Sequence, residues 1–277
     1  HIFITYPTSP VFGVKLINLT TDLADNESAS SPEWTPDGKK IFFRFHRLGE
    51  DYYPIYIMNN DGTEKRVIID SKADVFFYND SYNFIFSPVG TYSIDKHIYR
   101  SNIDRTESEF LLDLDLIGEE YTKMFDFNPN AENLLLLIAD TPRKTNIIAE
   151  YNVQKQELDT LSIADSGWVY LRPQYSNDYA KIAFIERNYD KDISNIVILE
   201  NGIKKELVTD EDEWIDFHPM KFSPKDNYLA YSKNINQEGD WVWWKSYLHI
   251  VNINTGEIKF IDGDKAVRPQ WNPLLPY

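Results

Sequence analysis

The chain has no cysteine among its 277 residues. That excludes disulfides, thiolate nucleophiles and cysteine-ligated zinc, while leaving the compartment open. It also lacks any long stretch with a 3.6-residue apolar period, so helices are not expected to build its core. No apolar run approaches the ~20 residues of a membrane-spanning helix, and membrane insertion of this segment is not expected. The catalytic signatures GxSxG, HExxH, the P-loop and GxGxxG are all missing. Basic residues are the scarcer charge, with 28 Lys and Arg against 44 Asp and Glu and a net charge of −16. A surface so negative repels phosphate backbones and anionic lipid, which argues against nucleic acid and favours a cation or a basic protein patch. The chain opens at His1 without an initiator Met or a leader. It is expected to be a trimmed form whose N-terminal address lies out of view.

What is abundant is aromatic. Eighteen Tyr, 16 Phe and 7 Trp make up 15% of the chain, and such side chains favour pleated, half-buried surfaces. An apolar content of 42% and a charged content of 26% suit a soluble globular protein. The expectation is an all-β fold.

The segment SPEWTPDGKKIFFRF, residues 31–45, contains an aromatic, a Pro and Asp-Gly turn, and an apolar run seven residues after the aromatic. The same frame joins Trp34 to Ile41, Phe77 to Phe84, Phe127 to Leu134, Tyr175 to Ile182 and Phe222 to Leu229. Trp271 is a sixth anchor whose run is cut off by the chain end. The anchors are 43, 50, 48, 47 and 49 residues apart, and 40 residues lead from Trp271 round to Trp34. Ile2–Tyr6 supplies the apolar run due after Trp271. A third apolar segment recurs (IYIMNNDG, IYRSNIDR, IIAEYNV, IVILENG, LHIVNINTG), and a fourth, edge-like one follows it (KRVIID, EFLLDLD, QELDTLS, KKELVTD, EIKFID).

Four strands per period, closing on themselves, describe a β-propeller. The expected architecture is one domain, 1–277, of six four-stranded antiparallel blades. Their approximate bounds are 30–70, 73–116, 123–163, 171–209, 218–262, and 267–277 plus 1–20. Pairing the N-terminal strands with the C-terminal strand would close the array and remove its free edges. Ile2 to Thr20 spans 18 positions where Ile41 to Ile69 spans 28, so the sixth blade has three strands or a loop missing from view. The anchors are read as wedges at short inner strands. Pro36, Pro129, Pro224 and Pro273 stop those strands, Asp37-Gly38 makes a hairpin turn, and the second strands are covered on both faces.

The segments LTTDLADNESASSPEWTPDGKKIFFRF and IYIMNNDGTEKRVI resemble the TolB-like propeller repeat, also called the WD40-like or PD40 repeat. YSNDYAKIAFIE and FSPKDNYLAYSK keep the frame without the Asp-Gly. The resemblance covers essentially the whole chain. It implies a bacterial, non-enzymatic binding module, periplasmic, cell-surface or secreted, that takes a protein or peptide at its axial loop face. Related propellers imply two alternatives: a carbohydrate-binding protein or oligogalacturonate-lyase-like enzyme, and the gating domain of a larger peptidase.

Binding is expected in the loops that leave the outer strands and in those between second and third strands. Trp241, Trp243 and Trp244, with Tyr247, crowd residues 234–247. They suit a sugar-stacking platform or an anchor for a partner; alternatively Trp241 and Trp243 continue a strand between blades. Arg172 and Arg268 each stand three residues before an anchor, in RPQY and RPQW. They suit a carboxylate clamp, or neutralisation of acids such as Asp216 and Asp264. DEDEWIDFHP, residues 210–219, adds Trp214 and His218. A metal on His46 or His218 would serve only the lyase alternative. Asp190, Asp192 and Ser194 alternate as calcium ligands do, but lack the Gly and Glu that complete the motif. A solvated acidic loop is the favoured reading there, and no cofactor beyond that structural calcium candidate is expected. The partner is thus a protein or peptide of basic character, with carbohydrate as the alternative.

Overall fold

Seven residues separate each anchor aromatic from its apolar run, and strand register shows why. The computed structural model describes residues 3–7, 14–50, 53–78, 80, 82–88, 97–104, 108–117, 122–140, 145–210, 220–235 and 245–261. Trp34 lies opposite Ile41, Phe77 opposite Phe84, Phe127 opposite Leu134, Tyr175 opposite Ile182 and Phe222 opposite Leu229. The aromatic and the first apolar residue of each run are cross-strand partners, so a constant turn length sets the register of every first hairpin.

Strands β1 (Phe3–Pro7) and β2 (Val14–Asn18) pair antiparallel as a two-stranded sheet. The first blade comprises β3 (Glu27–Trp34), β4 (Lys40–Arg47), β5 (Ile55–Asn59) and β6 (Arg66–Ile69). The second comprises β7 (Ala73–Phe77), β8 (Asn83–Pro88), β9 (His97–Asn102) and β10 (Ser108–Asp113), followed by a single 3-10 turn at Leu114–Leu116. The third holds β11 (Thr122–Asn128), β12 (Asn133–Asp140), β13 (Thr145–Asn152) and β14 (Glu157–Ile163). The fourth holds β15 (Val169–Tyr175), β16 (Lys181–Asn188), β17 (Ile193–Glu200) and β18 (Ile203–Asp210). The fifth holds β19 (Lys221–Phe222), β20 (Tyr228–Ile235), β21 (Lys245–Asn252) and β22 (Ile258–Ile261). Within each blade, strands neighbour one another in chain order.

The expected six blades are therefore corrected to five four-stranded blades among the described residues. β1 and β2 find hydrogen-bonding partners in each other alone there, and the segment around Trp271 lies outside the described residues. By contact the chain divides into two compact units, His1–Phe110 and Leu111–Tyr277.

In the first unit, Ile41 and Phe43 of β4 pack with Leu19, Ala29 and Met58, while Phe42 faces Ile55, Ile57, Phe84 and Phe86. The Phe42 ring meets Phe77 edge-on at 4.7 Å. In the second unit, Ile182 and Phe184 of β16 join Leu135 and Ile148, whereas Ala183 and Ile185 join Phe222, Leu229 and Tyr231. Second strands are thus buried on both faces, as their unbroken apolar runs require. Burial is worth about 1.5–3 kcal/mol for each such large side chain. Outer strands instead open exposed and bury residues only in their second half, as in β6 and β18.

Inner strands are longer than expected. β3 and β15 continue through β-bulges, where register skips from Ser30 to Glu33 and from Leu171 to Gln174. Ser31 and Arg172 occupy the bulges at φ 52° and 55°. Pro32 and Pro173 follow them; having no N–H, they lose nothing by being unpaired.

The first turns share a hydroxyl device. Thr35 Oγ1 donates to Asp37 at 2.7 Å and accepts from the Lys40 N–H at 3.0 Å. Ser176 repeats this with Asp178 (2.6 Å) and Lys181 (2.9 Å). Gly38, at φ 64°, supplies the left-handed residue of the first turn, and Tyr179 and Asp226 take its place at 59° and 55°. The Asp-Gly can therefore be lost without losing the hairpin, at a local cost of roughly 1–2 kcal/mol. Gly62 is more constrained, since a Cβ there would lie 2.9 Å from the Leu19 carbonyl.

Asp226 also staples the fourth and fifth blades. Its carboxylate accepts from the Asn177 N–H (2.9 Å), the Asn177 side-chain amide (2.6 Å) and the Asp178 N–H (3.1 Å). Asp226→Ala should lower stability by about 1–3 kcal/mol in urea unfolding. Adding Asn177→Ala should cost less than the separate losses combined, because the two share one interaction. Full additivity would remove the staple from this account.

Candidate functional site

The face expected to bind is the end of each blade where its second strand turns into its third. The fourth blade is described completely at that end. β16 closes with Arg187 and Asn188, residues 189–192 turn, and β17 opens at Ile193. Asn188 Oδ1 accepts the Lys191 N–H at 3.0 Å, and Asp192 adopts φ 55°. Arg187 is only 2% exposed. Its guanidinium donates to the Asp192 carboxylate and, at 2.5 Å, to Ser194 Oγ. The same group lies 5.6 Å from the ring centre of Tyr189, which is 53% exposed. A buried cation thus holds an aromatic ring at the tip of a short turn.

This geometry bears on the calcium candidate. Asp192 and Ser194 are both engaged by Arg187, while Asp190 is exposed. Among the described residues, no group of three or more acidic or His side chains is placed to hold a metal. Arg172 sits half-buried at its bulge. Ser31 fills the equivalent bulge of the first blade, so the backbone there does not demand a cation. Arg268, Trp214, His218, Trp241, Trp243 and Trp244 lie outside the described residues, and so does the distance between the two arginines. His46 is stacked on Tyr53, with ring centres 4.5 Å apart.

Polar groups between the third and fourth blades are mutually satisfied. The Asn146 amide donates to the Tyr170 carbonyl and accepts the Tyr170 N–H, both at 2.7 Å. Tyr175 donates its hydroxyl to Glu150 at 2.6 Å and its N–H to Asp126 at 2.9 Å. Within the fourth blade, Lys204 bonds Glu186 at 2.8 Å and the Tyr170 hydroxyl at 3.1 Å. Between the fourth and fifth blades, Lys233 reaches Asp210 at 2.6 Å. A hollow of about 420 Å³ is lined by Asn133, Glu150, Asn152 and Asp159. It lies at the opposite end of the third blade from the expected face.

Sequence reasoning singled out Asp190, Asp192 and Ser194 here and passed over Arg187 and Tyr189. The available signal was an aromatic opening a four-residue polar turn, two positions after an Arg.

No protein-family model matches the chain, and no curated protein matches it in sequence. Among solved structures, TolB from Acinetobacter baumannii superposes with a TM-score of 0.68 at 17% identity over 92% of this chain. The fold is that of a TolB-type β-propeller. Oligogalacturonate lyase from Vibrio parahaemolyticus matches with a TM-score of 0.56 at 10% identity, covering 94% of this chain and 84% of the lyase. A prolyl endopeptidase matches at 0.55 and 10% identity, over 94% of this chain. The chain spans 58% of the length of TolB and 46% of that of the endopeptidase. At such identities the likeness carries fold and nothing finer. No helix among the described residues is long and apolar enough to cross a membrane.

Several seam groups hold their protons more tightly when folded. Burial, then the Asp126 charge, pushes Tyr179 from 10.0 up to about 12. Burial and Glu150 raise Tyr175 further, and burial with Asp210 raises Tyr231. For Lys204, burial acts downward but is outweighed by its bonds to Glu186 and Tyr170, which leave it raised. Each raised value contributes stability that is complete below the unfolded-state pKa and disappears as pH climbs through the folded-state one. The unfolding midpoint should therefore fall as pH rises from about 10 to about 12. Tyr179→Phe should flatten that decline, and a midpoint independent of pH in the wild type would contradict the assignment.

Proposed function

We propose that the chain is a non-enzymatic propeller module that recognises a protein or peptide, basic in character, through its loop face. The observation that carries this reading is the shared fold with TolB over nearly the whole chain. The net charge of −16 supports a basic partner, since it accelerates encounter with cations and repels polyanions. The contacts proposed are Trp241, Trp243, Trp244 and Trp214 as apolar anchors, with Arg172, Arg268 and His218 orienting the ligand. Trp and Arg are the residue types that most often dominate binding energy. A periplasmic, cell-surface or secreted location belongs to the same proposal.

Likeness to most of the lyase's length favours carbohydrate binding or lyase activity as the second reading. Panning a displayed peptide library on the immobilised chain separates the two. Enriched peptides should bind, and Trp244→Ala with Arg268→Ala should weaken them at least tenfold without changing the melting temperature. Unaltered affinity in that variant would overturn the site. Release of unsaturated products from uronate oligomers by the wild type, with no peptide enriched, would overturn the function.

A further inference from the structure

We propose that the β16–β17 turn of the fourth blade is a contact surface for a Lys- or Arg-bearing protein segment, with the Tyr189 ring as its anchor. The inference rests on the binding-module reading, but its anchor lies outside the set predicted from sequence.

Three observations converge on this turn. The first is the ring itself. Tyr189 is 53% exposed at the tip of a turn, and the Arg187 guanidinium already lies 5.6 Å from its centre. The negative face of an aromatic ring attracts cations, so the exposed part of the ring offers a second cation the same chemistry. The second is rigidity. Asn188 bonds Lys191, and Arg187 bonds Asp192 and Ser194 across the turn. The ion pair of buried Arg187 with exposed Asp192 adds little net stability, but it holds the ring in place before any ligand arrives. Binding therefore loses little conformational entropy, the condition under which Tyr is an effective contact residue.

The third is the surroundings. The turn at 165–168 closes through the Trp168 N–H to the Asp165 carbonyl at 3.0 Å. A Cβ on Gly167 would lie 3.6 Å from the Asn188 amide, so the two turns abut. This places half-buried Trp168 and exposed Asp165 on the turn beside the one that carries exposed Asp190. The turn's own base is Lys191. Within the field of a chain carrying −16, aromatic surface flanked by carboxylates selects a basic segment over an acidic one.

The test uses two synthetic dodecapeptides, one alternating Arg with Gly and one alternating Glu with Gly, titrated calorimetrically into the whole chain near physiological salt. The Arg peptide should bind and the Glu peptide should not. Tyr189→Ala should weaken the Arg peptide about fivefold, the scale of one exposed cation–π contact, and Tyr189→Phe should restore it. Asp190→Asn should weaken it less. Equal binding by Tyr189→Ala and wild type would overturn the assignment, since diffuse charge would then explain the affinity. No binding by the wild type, or equal binding of the Glu peptide, would do the same. Loss in Trp244→Ala with retention in Tyr189→Ala would overturn this surface while leaving the binding module standing.

Discussion

The second strand of each well-described blade packs on both sides: in β16, Ile182 and Phe184 face the third blade while Ala183 and Ile185 face the fifth. This two-faced burial is the constraint from which the other features follow. A strand covered on both faces cannot slip by one residue without exchanging its two apolar sets. Register must then be set at the hairpin that precedes it. The seven-residue interval from anchor to partner does this, and the buried hydroxyls of Thr35, Ser176 and Ser223 hold three of those turns to one shape.

Neighbouring blades also bury polar groups, which must find partners where water cannot reach. Asn146 meets the Tyr170 backbone, and Tyr175 meets Glu150 and Asp126. Carboxylates that look available in an acidic sequence are thereby committed to holding blades together. Function is left to the surfaces where strands turn. There the arrangement of Arg187 beneath Tyr189 differs in kind from the seams, since its polar bonds end in an exposed aromatic ring rather than in a closed network.

Much of the fold was legible because a repeat tests itself. The constant spacing marked a recurring first hairpin, and in the structure five anchors lie across from the residue seven positions on. Blade number was not legible in the same way. The inference to a sixth blade drew on Trp271 and Ile2–Tyr6, whereas the described strands β1 and β2 pair only with each other. The inner bulges escaped notice because Ser31-Pro32 and Arg172-Pro173 read as loop composition, and only strand pairing on both sides of the skip reveals them as interruptions within a strand.

Linear order alone carried the period, the constant hairpin spacing and the unbroken apolar runs of the second strands, because each is read from sequence distance and local composition. Only the tertiary structure decided which polar groups serve the seams and which stay at the turns. Asp126 and Tyr175 are 49 residues apart, and only the folded chain shows that the Asp192 carboxylate accepts from the Arg187 guanidinium. A side chain's role depends on what burial places beside it, and burial between blades joins residues that no local pattern connects.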